Sequence, residues 1–121
     1  MSKKIVIIDD EPTVTKMLVY RLEAKGYEIT TAIDGKEGVA LIRSQKPDLI
    51  ILDYLLPDMT SKEVADNIKK DDELSRIPII LITASVEDID EKAKECSAVD
   101  FMAKPIEPET LYQKVEKQIG S

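Results

Sequence analysis

Three short runs made only of apolar residues restrict what this chain can fold into. They are Ile5–Ile8, Leu49–Leu52 and Ile79–Ile82, and each has the length and the β-branched composition of a strand. A strand that is apolar on every side must be covered on both faces, which is typical of the centre of a parallel sheet. Two more polar segments, Tyr27–Ala32 and Ala98–Met102, predict two further strands, the first of them nearer a sheet edge.

Segments with helical signals separate these strands. Pro12 and Pro108 suit the first turn of a first and a last helix. Residues 34–37 and 60–63 have the spacing of capping boxes and predict where the second and third helices begin. Residues 85–88 predict the start of a fourth helix, whose apolar stripe is so weak that we expect this helix to be the least firmly anchored.

The alternation of five strands with five helices predicts an α/β fold, a doubly wound parallel sheet with helices on both faces. At 121 residues the chain has the size of one domain, so we expect residues 1–121 to form a single unit. In sheets of this kind, ligands bind outside the carboxyl ends of the strands. The residues at those ends are therefore the candidates for function.

Composition excludes several classes of function. The chain has 17 basic and 24 acidic residues, a formal net charge of −7 and no basic stripe, so we expect no direct binding of nucleic acid. No apolar stretch approaches the roughly 20 residues of a membrane span, and the apolar run after Lys4 is too short for a signal peptide. We therefore expect a cytoplasmic protein without a membrane segment.

Two residue types restrict the chemistry further. Histidine is absent, which excludes histidine-based acid–base catalysis and imidazole metal ligands. The single cysteine, Cys96, excludes an internal disulfide and a cysteine-based metal cluster, and we expect it to be a small buried or half-buried residue. Any bound metal must then be a hard cation with oxygen ligands.

Polar residues follow four of the five predicted strands. They are Asp9, Asp10, Asp53, Thr83 and Lys104. Each of them alone is commonly a turn former, a helix cap or a solvated charge. In the predicted fold, however, all five converge on one edge of the sheet. Three carboxylates that close together repel one another unless a positive group lies among them, which Lys104 or a bound Mg²⁺ would provide.

Four segments of the chain resemble the signature segments of bacterial and archaeal two-component response-regulator receiver domains, the CheY-like family. The segments are IVIIDDEP, PDLIILDYLLPDM, LITAS and DFMAKP, and the resemblance covers essentially the whole chain. It implies a flavodoxin-like receiver fold with strand order 2-1-3-4-5 and five helices. It also implies a phosphorylation-controlled switch in two-component signal transduction.

The resemblance implies a phosphoacceptor and a metal site. Asp53 corresponds to the aspartate that accepts a phosphoryl group. Asp9 and Asp10 correspond to the acidic pair that binds Mg²⁺, Asp10 directly and Asp9 mainly through water, together with Asp53 and the backbone carbonyl of Leu55. Elementary chemistry agrees, because phosphoryl transfer needs an in-line nucleophile and positive charge near the phosphoryl oxygens.

The resemblance also implies a switch. Thr83 and Lys104 match the residues that contact the bound phosphoryl group. Phe101 lies where the family has its rotating aromatic residue, so Thr83 and Phe101 would form the switch. A plain aromatic residue of the core is an equally good interpretation of Phe101, because one aromatic residue carries no signal of motion.

Two kinds of partner follow from these assignments. Because the chain has no histidine, the phosphoryl group must come from a sensor histidine kinase, a histidine phosphotransfer protein or a small acyl phosphate. We expect residues 86–119, which hold helix 4, strand 5 and helix 5, to bind a downstream protein partner.

Some positions depart from the usual family pattern. Thr60 and Ser61 stand where an Asp-Gly or similar pair is common, and Ser97 replaces a usual glycine. Leu55, two residues beyond the phosphoacceptor, is apolar. An apolar residue there would hinder the attack of water and lengthen the lifetime of the phosphorylated form.

Two other functions fit parts of the sequence. A Mg²⁺-dependent phosphatase of the haloacid-dehalogenase type also uses an aspartate after a parallel strand. Those enzymes have Asp-x-Asp at that point, whereas this chain has Leu55 at the second position, no general acid and no room for a cap domain. A degenerate receiver would bind partners without phosphorylation, but the complete set of five polar residues argues against that function.

Overall fold

The computed structural model describes residues 2–120, in which five strands alternate with five helices. The strands are β1 (Lys4–Ile8), β2 (Glu28–Ala32), β3 (Leu49–Asp53), β4 (Ile79–Thr83) and β5 (Asp100–Ala103). The helices are α1 (Pro12–Ala24), α2 (Gly35–Gln45), α3 (Ser61–Lys69), α4 (Ile89–Glu95) and α5 (Pro108–Ile119). Each helix of this part of the chain is too short or too polar to cross a membrane.

The strands form one parallel sheet in the order β2-β1-β3-β4-β5, as predicted. The register pairs Ile5 with Leu49 and Ile50 with Ile79, which aligns the three apolar runs side by side at the centre. The order reverses beside β1, since β2 lies on one side of it and β3 on the other. This reversal opens a crevice at the carboxyl ends of β1 and β3, the usual place for a ligand.

Helices cover both faces of the sheet, which explains why the central strands are apolar throughout. Alternate residues of a strand point to opposite faces. Ile8 and Leu52 belong to the core that α2, α3 and α4 cover, whereas Ile7 and Ile51 belong to the core under α1 and α5. All four side chains are fully buried, and each contributes about 1.5–3 kcal/mol to folding.

Most of the predicted helix starts are confirmed. α1 and α5 begin at Pro12 and Pro108. Thr60 and Glu63 form both bonds of a capping box at the start of α3. At α2 the side chain of Asp34 accepts the N–H of Glu37 at 2.8 Å, as a capping residue should.

The predicted start of the fourth helix is wrong. α4 begins at Ile89 rather than at Ser85, after Asp88 adopts a left-handed conformation with φ of 53°. The Ser85 hydroxyl instead accepts the N–H of Glu87 at 3.3 Å, so Ser85 forms a local turn that competes with the helix. Within the seven residues of α4, Ala93 is the buried one. The weak anchoring of α4 stays a prediction.

The two outer strands begin later than predicted. β2 begins at Glu28 rather than Tyr27, and β5 begins at Asp100 rather than Ala98. Ser97 precedes β5 in the left-handed region, with φ of 54°, so the chain is still turning out of α4 at that point. Cys96 is fully buried, as predicted, with its sulfur 3.2 Å from the Ser61 hydroxyl.

Candidate functional site

The carboxyl ends of β1, β3, β4 and β5 bring the predicted site residues to one edge of the sheet. Asp53 and Thr83 are the last residues of β3 and β4, and Asp9 and Lys104 follow β1 and β5. Backbone bonds continue the sheet past these ends, because the N–H of Asp9 bonds to Ala32 and that of Lys104 bonds to Thr83, at 3.0 and 2.8 Å. The backbone is therefore fixed where the functional side chains begin.

Three carboxylates meet at this edge, those of Asp9, Asp10 and Asp53. One oxygen from each lies within 4.8 Å of the others. Asp9 and Asp53 are 1% and 4% exposed, whereas Asp10 is exposed to solvent. A set of carboxylate oxygens with one side open to water suits Mg²⁺, which keeps several of its own water ligands.

Burial makes the charge of Asp53 costly. Loss of solvent and the neighbouring charge of Asp9 raise the pKa of Asp53 to about 6, even though Lys104 opposes the shift. Near neutral pH the site thus holds carboxylates that a cation would stabilise.

One atom of this cluster supports the metal assignment directly. Asp9 Oδ2 is buried and accepts no hydrogen bond from the described residues. Lys104 Nζ lies 3.1 Å from it but without the angle of a hydrogen bond. The other oxygen, Oδ1, accepts the N–H of Glu11 at 2.9 Å. A buried carboxylate oxygen with free lone pairs beside two further carboxylates fits a hard cation or its bound water.

Lys104 supplies the positive charge among these groups. Its ammonium lies 3.2 Å from Asp53 Oδ2 and 2.5 Å from Glu11 Oε1, and its side chain is 10% exposed. Burial alone would lower the pKa of Lys104, but the contacts with Glu11, Asp9 and Asp53 raise that pKa above its usual range. Lys104 therefore remains a cation at any physiological pH.

A cleft of about 420 Å³ lies over the carboxylates. Asp53, Leu55, Thr83 and Lys104 are among the residues that line it. Thr83 is 3% exposed, and its hydroxyl accepts the N–H of Ser85 at 3.2 Å. The cleft thus places a carboxylate, an ammonium and a hydroxyl group around a space that a phosphoryl group would fit.

Two predicted residues lie near the site with less definite roles. The side chain of Leu55 is 71% exposed, and its N–H lies 3.4 Å from Asp53 Oδ1. Phe101 is partly buried and packs against the core on the α2, α3 and α4 side, with Lys114 Nζ 5.6 Å from its ring centre. Metal binding by the Leu55 carbonyl and movement of Phe101 stay predictions.

Sequence reasoning missed three residues that the structure places around the site. Glu11 contacts Lys104, and Lys92 of α4 lines the cleft with its ammonium 5.0 Å from the Tyr54 ring centre. Asp58 accepts the N–H groups of Gly35 and Lys36 at 2.8 and 2.9 Å, which fastens the loop after β3 to the start of α2. The proximity of Glu11 to the acidic pair in sequence was the one available signal.

Comparison with known proteins agrees with this geometry. Residues 5–116 match the family described as "Response regulator receiver domain". Over 117 residues the chain is 37% identical to the alkaline phosphatase synthesis transcriptional regulatory protein PhoP of Bacillus subtilis. That alignment covers 96% of this chain and 48% of PhoP, so the chain spans about half the length of this relative.

Two solved structures are closely similar. The chemotaxis response regulator CheY4 of Vibrio cholerae has a TM-score of 0.91 and 28% identity, over 98% of this chain and 100% of that one. The receiver domain of the sensor histidine kinase PA1611 from Pseudomonas aeruginosa, solved with a magnesium ion coordinated in the active site cleft, has a TM-score of 0.91 and 26% identity, over 100% of both chains. The family match and the shared fold together show that this chain belongs to the receiver domain family of two-component response regulators.

Proposed function

We propose that Asp53 accepts a phosphoryl group and that this modification switches the domain between two conformations. The observation that carries the proposal is the position of Asp53 itself. It lines the cleft, is almost fully buried, and lies 3.2 Å from the Lys104 ammonium and within 4.8 Å of the oxygens of Asp9 and Asp10. A carboxylate in that position is both reactive and surrounded by groups that recognise phosphate.

The reaction follows from the arrangement of these groups. An oxygen of ionised Asp53 attacks the donor's phosphorus in line, forming the new O–P bond while the bond to the leaving group breaks. Lys104 stabilises negative charge on the phosphoryl oxygens through its permanent positive charge. Thr83 is placed to donate its hydroxyl proton to one of those oxygens.

A magnesium ion would be held by Asp9, Asp10, Asp53 and the backbone carbonyl of Leu55. When bound, it neutralises charge on both the carboxylates and the phosphoryl group. The buried Asp9 Oδ2, which accepts no hydrogen bond from the described residues, supports this ligand set. The domain thus assists its own phosphorylation and dephosphorylation and acts as a signalling domain.

The switch would begin at Thr83. Turning the Thr83 hydroxyl toward a phosphoryl group releases the N–H of Ser85, which lies in the turn before α4. An inward shift of this segment would leave room for Phe101, which is only partly buried. This is a shift between populations, so its size depends on how much better the second conformation holds the phosphate.

The proposal includes the partners expected from the sequence. A sensor histidine kinase or a histidine phosphotransfer protein would donate the phosphoryl group, since the chain has no histidine of its own. Residues 86–119 would bind a downstream protein, and the domain as a whole would bind neither nucleic acid nor a membrane directly. We treat residues 1–121 as one domain in the cytoplasm, where the ATP that charges a kinase is present.

The two alternative functions are less well supported. For a phosphatase, the position two residues after Asp53 should carry a general acid, but it carries the exposed, apolar Leu55. For a degenerate receiver, the carboxylates and the cation should not converge, yet they lie within contact distance.

Incubation with Mg²⁺ and a small acyl phosphate, followed by intact-mass measurement, tests the phosphoacceptor. We expect the mass of one added phosphoryl group in the native chain and in Asp90→Asn, an exposed control on α4, and none in Asp53→Asn. Absence of an adduct in the native chain, or its persistence in Asp53→Asn, would contradict the proposal.

The partner-binding surface has a separate test. Amide chemical shifts are recorded before and after phosphorylation, and we expect the changes to extend from the cleft across residues 86–119. Changes confined to the cleft, with this surface spared, would show that another surface carries the signal.

A further inference from the structure

Lys104 has a third carboxylate partner that the proposed reaction does not use. Its ammonium lies 2.5 Å from Glu11 Oε1, closer than to Asp9 Oδ2 at 3.1 Å or Asp53 Oδ2 at 3.2 Å. Glu11 Oε1 and Asp53 Oδ2 accept hydrogen bonds from this ammonium, and Asp9 Oδ2 lies in ion-pair contact without a hydrogen bond, so three carboxylates surround the group. A phosphoryl oxygen that approaches Lys104 therefore competes with these carboxylates for its positive charge and its N–H donors.

Exposure indicates which partner would leave. The Asp9 and Asp53 side chains are 0% and 6% exposed and sit on short stems at strand ends. The Glu11 side chain is 56% exposed and has one more rotatable bond. Rotation of Glu11 into solvent thus frees one donor of Lys104 without disturbing the buried pair.

The position of Glu11 in the fold indicates no other structural role for its side chain. Glu11 is the residue that precedes α1, where a carboxylate commonly caps the first N–H groups of a helix. The Glu11 side chain makes no such capping bond. Its backbone N–H is held by Asp9 Oδ1 at 2.9 Å, which aims the side chain across the site toward Lys104.

We infer that Glu11 is a competing ligand of Lys104 that slows the phosphorylation of Asp53, an inference that rests on the proposed function. In the resting domain Glu11 accepts the shorter of the two hydrogen bonds that Lys104 makes to carboxylates, and it does so from the solvent-exposed side of the site. The transferred phosphoryl group therefore competes with Glu11 for Lys104, and Lys104 stabilises it fully only when the Glu11–Lys104 ion pair is broken. Glu11 is a residue that sets the rate of the reaction without touching the reacting atoms.

Repulsion offers a different explanation for the same rate effect, because the charge of Glu11 at the cleft also repels an anionic donor. The two explanations are distinguished by a variant that keeps the negative charge at position 11 but whose side chain is too short to contact Lys104. Glu11→Asp keeps the charge but is one methylene shorter, so it no longer contacts Lys104. Glu11→Gln removes the charge and keeps the length of the side chain. Glu28→Gln, on the far β2 edge, loses the same charge away from Lys104 and serves as the matched control.

The test is the initial rate of phosphorylation by a small acyl phosphate with saturating Mg²⁺, followed by intact mass. We expect roughly two- to fivefold faster labelling in both Glu11→Gln and Glu11→Asp, the size of an exposed ion pair, and no change in Glu28→Gln. Faster labelling in Glu11→Gln alone would show repulsion and overturn the inference. Equal rates in all variants would overturn it as well.

Failure of this inference is distinguishable from failure of the proposed function. A native chain that is not labelled at all contradicts the proposed function, and the inference falls with it. A native chain that is labelled at the rate of both Glu11 variants contradicts only the inference. The contact itself is read without any donor from the side-chain NMR signals of Lys104, which we expect to shift in Glu11→Gln and not in Glu28→Gln. Unchanged signals would overturn the inference.

Discussion

At the scale of single residues, the site buries negative charge, which lowers the stability of the folded state. Asp53 combines near-complete burial with a second buried carboxylate, and the Lys104 ammonium offsets the repulsion only in part. Burial of this charge thus underlies both the reactivity that we propose for Asp53 and its cost to the stability of the fold. Both should respond to the removal of its charge.

Replacing Asp53 by Asn should stabilise the domain in the absence of Mg²⁺. The pKa of Asp53 is raised to about 6 in the folded state, so the folded state prefers the protonated form. Above pH 6 the ionised carboxylate destabilises the folded state in full. This destabilisation disappears as the pH falls through 6 toward the pKa of Asp53 in the unfolded chain. We expect Asp53→Asn to gain about 1 to 3 kcal/mol at pH 8 and almost nothing near pH 4.

Urea unfolding in the presence of a chelator measures this gain across the pH range. Asp90→Asn removes an exposed carboxylate on α4 and should leave the free energy of unfolding within about 0.5 kcal/mol of the native value. A gap between Asp53→Asn and the native chain that does not change with pH would show that the charge of Asp53 is not its cause.

Leu55 should set the lifetime of the phosphorylated form. Its exposed side chain lines the cleft beside Asp53, where an apolar group gives an attacking water molecule no partner. Leu55→Asn adds an amide that can orient water, so we expect dephosphorylation at least about threefold faster.

The measurement is the decay of the phosphorylated mass after the donor is removed. Leu55→Ala serves as the control, because it opens the cleft without adding a hydrogen-bonding group. If Leu55→Ala decays as fast as Leu55→Asn, access rather than orientation of water limits the rate. An unchanged rate in Leu55→Asn contradicts the prediction.

At the scale of elements, α4 is the least typical part of the fold. Its seven residues bury Ala93 alone, and the turn before it includes a left-handed Asp88. A contact between Lys92 and the Tyr54 ring, at 5.0 Å, joins the helix to the loop that follows Asp53. Few apolar contacts and a link to the proposed phosphoacceptor are the properties expected of an element that moves in a switch.

The end of α4 carries strain that one substitution would relieve. Ser97 follows the helix with φ of 54°, a conformation that glycine adopts freely and serine does not. We expect Ser97→Gly to increase the free energy of unfolding by about 0.5–1 kcal/mol. Amide hydrogen exchange should show slower opening of α4 in this variant.

The matched control for this prediction lies inside a helix. Ser44 is in α2, where glycine costs backbone entropy, so Ser44→Gly should reduce stability by about 0.5–1 kcal/mol. The same chemical change thus has opposite signs at the two positions. A loss of stability in Ser97→Gly would mean that the side chain of Ser97 contributes more than its backbone costs.

At the scale of the whole molecule, the sequence determines the sheet and the residues at its edge most clearly. Three continuous apolar runs require helices on both faces, and this topology brings Asp53 and Lys104 together although they are 51 positions apart. The start of α4 was not predictable from the sequence pattern alone, because a serine side chain stabilises a turn, as Ser85 does here, as readily as it caps a helix.

Long-range side-chain contacts were not predictable for a different reason. Glu11 reaches Lys104 across 93 positions, and Asp58 reaches the start of α2 across 23. Flexible or loop-borne side chains find such partners only after the elements have packed, so no local pattern marks them. The same is true of Lys92 over the Tyr54 ring.

Metal binding should stabilise the entire domain, because the ligands come from the ends of two central strands and converge only in the folded state. A ligand that binds only the folded state adds about 2.7 kcal/mol at 100 times its dissociation constant. We expect Mg²⁺ to raise the midpoint of thermal unfolding relative to a chelator. The rise should vanish in Asp10→Asn, which removes an exposed ligand without opening the core, and persist in Asp90→Asn.

Because the cation would neutralise the charge that destabilises the native site, Mg²⁺ should also narrow the difference in stability between Asp53→Asn and the native chain at pH 8. A difference that stays the same with and without Mg²⁺ would place the cation elsewhere than among Asp9, Asp10 and Asp53.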